Sequence, residues 1–467
     1  MGTVRRERWL AGIGCWLPAM LWLAVIPAAA VAGVPGRVSA DEATAELTGA
    51  SSLAVADRRF EPARPEAGAS EGRWPMTADY GSGEWGGLRA RLAAQGLTIE
   101  PVIIVDTSDV FSGGARHGGA FRYLIDLTFG LNMRDFAGWS TGRLVLNLQR
   151  LRGQSGSQLA GDFQGFSNID FRNFDQVNAY YYEFCLGQRG GDYDSCHAGA
   201  PANVTGHLFQ FTLGKLDANA KFAYAENAAE FIQSSMGFSP TILGFPSYPD
   251  PAMGVIGFVY PSDRLYAGFG MFDGSTQDPA FRRSGNRGPG NFFSTPSDYF
   301  YVGEAGGRWS TFGGGRIGIG LWHHGGKFDR FDGGVAHGTT GAYLTADQTL
   351  WTETEGRGIG AFLQLGIADT AVADVDFHVG TGLIWIGALS GRDEDQIGVG
   401  PSYVHLSDKA KQAGVYSEDY ELSLSIFYKF QATPWLSIKP DLQYIRHPGG
   451  NGLDDAVVGT VRVEALF

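Results

Sequence analysis

Cysteine is nearly absent from this chain, with three in 467 residues. That excludes a small scaffold stapled by many disulfides. Charge is scarce too, at 18% of residues, and the basic sign is the scarcer: 36 Lys and Arg against 49 Asp and Glu, net −13. An acidic chain does not suit a nucleic-acid partner. Long apolar runs are missing except at the N-terminus. Their absence excludes a bundle of membrane helices, but not a barrel, whose strands give a weak signal each. Glycine is abundant instead, at 69 residues, and 44% of the chain is hydrophobic. This mix fits many strands joined by turns.

Residues 1–40 read as a secretory signal. Arg5, Arg6 and Arg8 precede an apolar stretch over 9–26, and Ala28-Ala-Ala30 or Val38-Ser-Ala40 offers a cleavage site. These 40 residues carry four Arg and one Glu, net +3, so the remainder stands at −16. That balance also disfavours a pore built for anions. Export removes Cys15 and leaves Cys185 and Cys196, which are expected to pair in an oxidising compartment. Residues 41–80 are rich in Ala, Glu, Arg and Pro and read as a flexible periplasmic leader. Residues 85–95 suit a short amphipathic helix ahead of a barrel that fills 81–467.

From residue 97 onward, alternation dominates. At the C-terminus Val457, Val461, Val463, Ala465 and Phe467 share one face, and Thr460, Arg462 and Glu464 the other. A strand that is apolar outside and charged inside suits a membrane barrel, with lipid on one face and water on the other. Such a barrel must close, because no backbone group can stay unpaired in hydrocarbon. The pattern predicts strands near 96–110, 123–133, 142–151, 176–185, 207–215, 253–260, 263–272, 297–306, 315–323, 342–351, 358–367, 376–389, 396–406, 420–431, 435–445 and 456–467. About sixteen strands leave an aqueous channel. The expected fold is therefore all-β: a transmembrane, antiparallel, up-and-down barrel. With both ends in the periplasm, short connections fall mostly there. Long ones, at 152–175, 216–252, 273–296, 324–341 and 407–419, fall outside, and 186–206 is a long periplasmic exception. Aromatics near strand ends, among them Tyr180, Tyr182, Phe258, Tyr260, Trp322, Trp351, Trp385 and Trp435, read as interfacial girdles.

The polar faces supply candidate pore-lining groups: Arg122, Asp126, Asn147 and Gln149 early in the chain, Gln210 midway, and Asp441, Gln443, Arg462 and Glu464 near its end. Carboxylates, amides and guanidinium groups together can replace the hydration of a polar solute without trapping it. The longest connection, 216–252, is the expected constriction. It brings Lys215, Asp217 and Asn219 at its start, then Phe231 and Phe238. Phe467 reads as the terminal assembly signal, addressed to the barrel-assembly machinery.

Other patterns carry no chemistry. His323, His324 and His337 fall in a Gly-rich stretch without further ligands and read as solvated loop, so no metal is assigned. Asp393-Glu-Asp395 reads as a turn rather than a calcium loop. Glu226 and Glu230 are spaced i, i+4 and read as a polar loop face, not a catalytic pair. Gly68-Ala-Ser-Glu-Gly72 and the glycines of 313–320 lack the strand and helix context of a nucleophile elbow or phosphate loop.

Several stretches together resemble the carbohydrate-selective porins of outer membranes, the OprB family. They are Gly83-Glu-Trp-Gly-Gly-Leu-Arg-Ala-Arg-Leu-Ala-Ala-Gln-Gly96, Thr212-Leu-Gly-Lys-Leu-Asp-Ala-Asn219 with Phe231-Ile-Gln-Ser-Ser-Met-Gly-Phe238, Gly341-Ala-Tyr-Leu-Thr-Ala-Asp-Gln348 and Gly391-Arg-Asp-Glu-Asp395. The most specific is Pro434-Trp-Leu-Ser-Ile-Lys-Pro-Asp-Leu-Gln-Tyr-Ile-Arg-His-Pro-Gly-Gly450. The resemblance runs from about residue 80 to the end. It implies outer-membrane location, inward-folded extracellular loops and passive diffusion of mono- and oligosaccharides, with no cofactor and no catalysis. It also favours the loop Gly161-Asp-Phe-Gln-Gly-Phe-Ser-Asn-Ile-Asp170, whose Asp162, Gln164, Asn168 and Asp170 suit sugar hydroxyls. The long leader and the insert holding Cys185 and Cys196 depart from the family. A non-selective porin of the same fold is the alternative expectation. A secreted sugar-binding β-protein and a barrel enzyme are the remoter ones. The lipid-facing sides look uniformly apolar, which gives no evident subunit contact, and the choice between monomer and homo-oligomer stays open.

Overall fold

The computed structural model describes residues 78–274, 289–294, 298–354 and 356–467. The expected signal, and the leader up to residue 77, lie outside the described residues. Sixteen strands close one antiparallel barrel, each paired with its neighbours in chain order and the last with the first. They are β1 (Leu97–Ser112), β2 (Gly118–Asn132), β3 (Arg143–Gly153), β4 (Phe174–Leu186), β5 (Phe209–Leu216), β6 (Ala252–Ser262), β7 (Leu265–Phe272) and β8 (Phe300–Trp309). The second half holds β9 (Gly315–Asp329), β10 (Val335–Thr354), β11 (Arg357–Ala368), β12 (Val375–Ile386), β13 (Gln396–Leu406), β14 (Tyr420–Thr433), β15 (Leu436–Arg446) and β16 (Ala456–Leu466).

Period-2 patterning sets the register. Leu144, Leu146, Leu213, Leu424, Ile426 and Val461 are exposed on the outer face. Their polar neighbours point inward and are buried. The closing seam pairs β1 with β16 from Val102↔Leu466 to Val110↔Val458, and sets Asp106 opposite Arg462. A slip of one residue would turn these charges to the lipid, so the register is strongly specified.

The first described residues lock this seam. Gly81 N–H donates to Leu466 O at 2.8 Å, and Phe467 N–H to Pro101 O at 2.8 Å. The short helix Leu88–Ala93 carries Arg89, stacked between Tyr80 at 3.8 Å and Trp85 at 4.3 Å. Arg89 also donates to Ile99 O at 3.0 Å.

Two expectations need correction. β9 and β10 run on to Asp329 and from Val335, so the connection between them is only 330–334. His323, His324 and His337 therefore lie on strands, not in a loop, and His324 is buried. Glycines at 325, 326, 333, 334 and 338 leave no side chain to reveal the alternation there. Second, Phe258, Tyr260 and Trp322 are not girdle residues. They face the interior and join one apolar cluster there. Trp351 and Trp385 are exposed on the outside.

Candidate constriction and pore wall

Two far-rim connections, 154–173 and 217–251, fold into the barrel and are clamped to its inner wall. The first is held by charges from the closing seam. Arg462 donates from Nε and Nη2 to Asp106 at 2.8 and 2.9 Å, and from Nη2 to Asn168 Oδ1 at 2.8 Å. Ser167 Oγ donates to Asp106 at 2.6 Å. Arg122 donates to Ser108 at 2.9 Å and lies 3.5 Å from Asp170. Asp106, Arg122 and Arg462 are almost wholly shielded from water. Buried guanidinium and carboxylate groups are tolerable only when paired in this way.

The same connection is also tied to the neighbouring strands β13 to β15. Glu421 on β14 accepts the N–H groups of Phe163 at 2.6 Å, Gln164 at 2.9 Å and Gly449 at 2.7 Å. Gln443 donates to Phe166 O at 2.7 Å and to Asp441 at 2.8 Å. Gln164 Oε1 accepts from Ser402 at 2.6 Å and from Gln233 at 3.2 Å. Asp162 accepts from Phe166 N–H at 2.6 Å. Burial, reinforced by the nearby Glu421 carboxylate, pushes the Asp162 carboxyl well above the usual carboxylate range.

The longer connection is held at more points. Glu304 accepts from Ala223 N–H at 2.9 Å and from the hydroxyls of Tyr266 and Tyr343 at 2.6 and 2.8 Å. Asp347 accepts from Glu226 N–H at 2.9 Å and Asn227 N–H at 2.8 Å. Arg316 donates to Tyr224 O at 2.6 Å. Glu230 takes an ammonium group on each side, Lys429 at 2.6 Å and Lys439 at 2.6 Å. Burial alone would raise its carboxyl, but these two cations outweigh burial and hold it at about 2. Residues 154–173 and 217–251 then join each other. Asn168 N–H donates to Ile232 O at 2.6 Å and Ser234 N–H to Gly165 O at 2.8 Å.

Glycine on the wall makes room for this loop. Phe231 stands between Phe362 and Phe427, with ring centroids 5.5 and 5.1 Å away. A Cβ on Gly382 or Gly400 would come within 3.0 or 3.2 Å of its ring. Phe231 is thus a buried anchor, and Phe238 packs edge-on against Phe245 at 5.2 Å.

The remaining expected residues fall as follows. Asp126 accepts from Asn147 and Gln149, both at 2.6 Å, on the inner face of β2 and β3. Lys215 donates to Val177 O at 2.8 Å. Asp217 caps the loop entry, accepting from Asn219 N–H at 2.8 Å and Tyr248 N–H at 3.0 Å. Asn219 donates to Phe222 O and Ala223 O, both at 3.2 Å. Glu464 accepts from Ser437 at 3.4 Å and lies 3.9 Å from Arg462. Gln210 donates to Cys196 O at 2.7 Å, and Cys185 is disulfide-bonded to Cys196. The sequence reading missed Asp106, Glu304, Asp347, Glu421 and the ion-paired role of Glu230. Inward parity on their strands marks the first four; nothing local marks Glu230.

Known proteins agree with this architecture. Residues 116–467 match the family described as "Carbohydrate-selective porin, OprB family". Porin B of Pseudomonas aeruginosa is 29% identical over 129 residues, which cover 24% of this chain and 28% of that protein. The match therefore spans little more than a quarter of that relative's length. The high-pH structure of Pseudomonas putida OprB aligns with a TM-score of 0.71 at 19% identity, covering 85% of this chain and all of that one. The low-pH structure aligns with a TM-score of 0.54 at 14% identity, covering 84% of this chain and all of that one. At these identities the two structures bear on the fold alone. With a closed sixteen-stranded barrel, an apolar outer belt and a family match over three quarters of its length, the chain belongs to the carbohydrate-selective porin OprB family and is a β-barrel of the outer membrane.

Proposed function

We propose that this chain is a passive channel for sugars, admitting mono- and oligosaccharides to the periplasm, with no catalytic step and no cofactor. The observation that carries the reading is the clamped pair of inward loops. Buried ion pairs fix the loops from several strands at once, so the gap they leave keeps a constant width and a constant set of hydrogen-bonding groups. Sugar hydroxyls need donors and acceptors held in place, yet not so many that the solute stays bound.

The polar residues divide into two roles. Arg122, Asp162, Gln164, Gln210, Gln443, Arg462 and the inner ends of Asp170 and Glu464 act mainly as anchors for the loops. Half-buried Asn168, Asp217, Asn219, Glu226, Asn227 and Phe238 present groups to the passing solute. Asp126, Asn147, Gln149 and Asp441 continue the polar wall, and Lys215 steadies the loop entry. Residues 1–40 direct export, 41–80 form a periplasmic leader, and Phe467 serves as the assembly signal.

The test is single-channel conductance of detergent-purified protein in a planar bilayer, titrated with glucose and then maltose. Saturable block by either sugar is the expected result. Steady current without block would make this a non-selective pore, and folded protein without channels would remove the transport reading.

A further inference from the structure

The connection 187–208 between β4 and β5 is the longest at the rim of the chain ends, among the described residues. It does not hang below the barrel. Cys185 lies on the inner face of β4, between outward-facing Phe184 and Leu186, and its bond to Cys196 draws the segment into the lumen. Gln210, on the inner face of β5, holds Cys196 O at 2.7 Å. The turn Pro201–Asn203 continues inward until it packs against β7 and β8. Ala202 and Val204 end in the same apolar cluster as Phe222 and Ala223 of the opposite loop, and as Phe258, Tyr266 and Phe300 of the wall.

Polar ties fix this position without the disulfide. Glu183 on β4 accepts from Lys221 at 2.7 Å and from His197 Nδ1 at 2.9 Å. Lys221 comes from the far-rim loop, and it also donates to Gly199 O of the insert at 2.9 Å. The two segments therefore meet inside the barrel, one from each rim. Behind them the sector from β4 to β8 is lined by a cluster of buried apolar side chains. A sixteen-stranded barrel with an open interior would leave a wide aqueous lumen.

We propose that residues 187–208 form a second constriction, on the periplasmic side, which sets the largest sugar that can leave the channel. This rests on the reading of the chain as a sugar channel. The far-rim loops would select by hydrogen bonding, while the insert limits by size and confines the solute to the sector away from β4–β8.

Two variants test it in planar bilayers and by liposome swelling. In the first, 188–206 is replaced by a short glycine-serine turn. Its conductance is expected to rise about twofold, because the narrowest section widens. Swelling with maltotriose and maltotetraose should quicken, while maltose block stays saturable. The second is full-length Asn203→Cys, with the native disulfide intact. Asn203 is half-buried in the turn that reaches β7 and β8. A bulky anionic thiosulfonate should cut its current by about half and leave the unsubstituted protein untouched. If the first variant fails to fold, the second decides. Unchanged conductance, size limit and thiosulfonate response, in channels still blocked by maltose, would overturn the second constriction and spare the channel reading. Absence of channels from the unsubstituted protein would overturn both.

Discussion

Asp162 and Glu230 are both buried carboxyls on inward loops, yet their surroundings push them in opposite directions. Asp162 sits against Glu421 with no cation beside it in its hydrogen-bond set, and burial raises it. A raised acid favours the folded state while protonated. Its penalty grows as pH climbs out of the ordinary carboxylate range, about 3.9 for Asp. Asp162→Asn keeps an acceptor for Phe166 N–H and removes the charge. The expected outcome is a higher unfolding midpoint in urea at pH 8 than for the parent protein, with the difference vanishing near pH 4. Equal midpoints at pH 8 would show that burial does not raise the Asp162 carboxyl. Glu230 is the reverse case. Its depressed carboxyl contributes stability above its unfolded range, and that contribution is lost only as pH falls toward about 2. Glu230→Gln would leave Lys429 and Lys439 without their shared anion. Breaking a buried pair costs roughly 3–5 kcal/mol. The expected phenotype is noisier, larger single-channel current from a barrel that still assembles, and quiet current of parental size would remove Glu230 as a loop anchor. Neither role was legible beforehand: the i, i+4 spacing of Glu226 and Glu230 says nothing of cations that arrive from β14 and β15.

At the scale of elements, the strands were readable because an up-and-down barrel repeats one local rule. Each strand alternates, and each turn reverses it. The rule failed where glycine replaced side chains, at the joined ends of β9 and β10, and where the interior itself is apolar, as around Phe258 and Trp322. A porin lumen is expected to be polar, so inward aromatics on β6 and β9 read wrongly as girdles. Inward glycines on other strands form shallow seats for the long loop, and Gly382 on β12 is the clearest. A Cβ there would lie 2.7 Å from the Phe362 ring and 3.0 Å from Phe231 and from Val399 O. Gly382→Val should unseat Phe231 at a cost of roughly 1–3 kcal/mol, the usual penalty for overpacking. Its heat-stability in detergent should fall, read from the temperature at which the folded band converts on a gel, and its maltose block should weaken. A variant with parental stability and block would mean that Phe231 needs no glycine floor. Arg462 shows the same dependence between element and site. It faces the lumen as its parity requires, but it is spent on Asp106 and Asn168, so its removal would act through loop 154–173 before it touched a solute.

For the whole molecule, charge is distributed by depth. The pairs deep in the lumen carry no acidic excess: Arg462 with Asp106, Arg316 with Asp347, and Lys429 and Lys439 around Glu230 set four cations against three anions. The net charge of −13 is therefore not concentrated at the clamps, and Asp and Glu outnumber Lys and Arg over the chain as a whole. Such a field attracts cations toward the mouths without binding them in the narrow part. In a potassium chloride gradient the channel should prefer potassium over chloride by about two- to fivefold near 0.1 M salt, where the screening length is ~10 Å. The preference should fade toward none at 1 M, where that length shrinks to ~3 Å. Reversal potentials measure both. Neutral sugars carry no charge for this field to act on. The maltose block constant should then stay the same across the two salt concentrations. A block constant that moved with salt would place unscreened charge in the sugar path, and a preference for chloride would mean that the cationic sides of the clamps, rather than the acidic surface, set the potential along the pore.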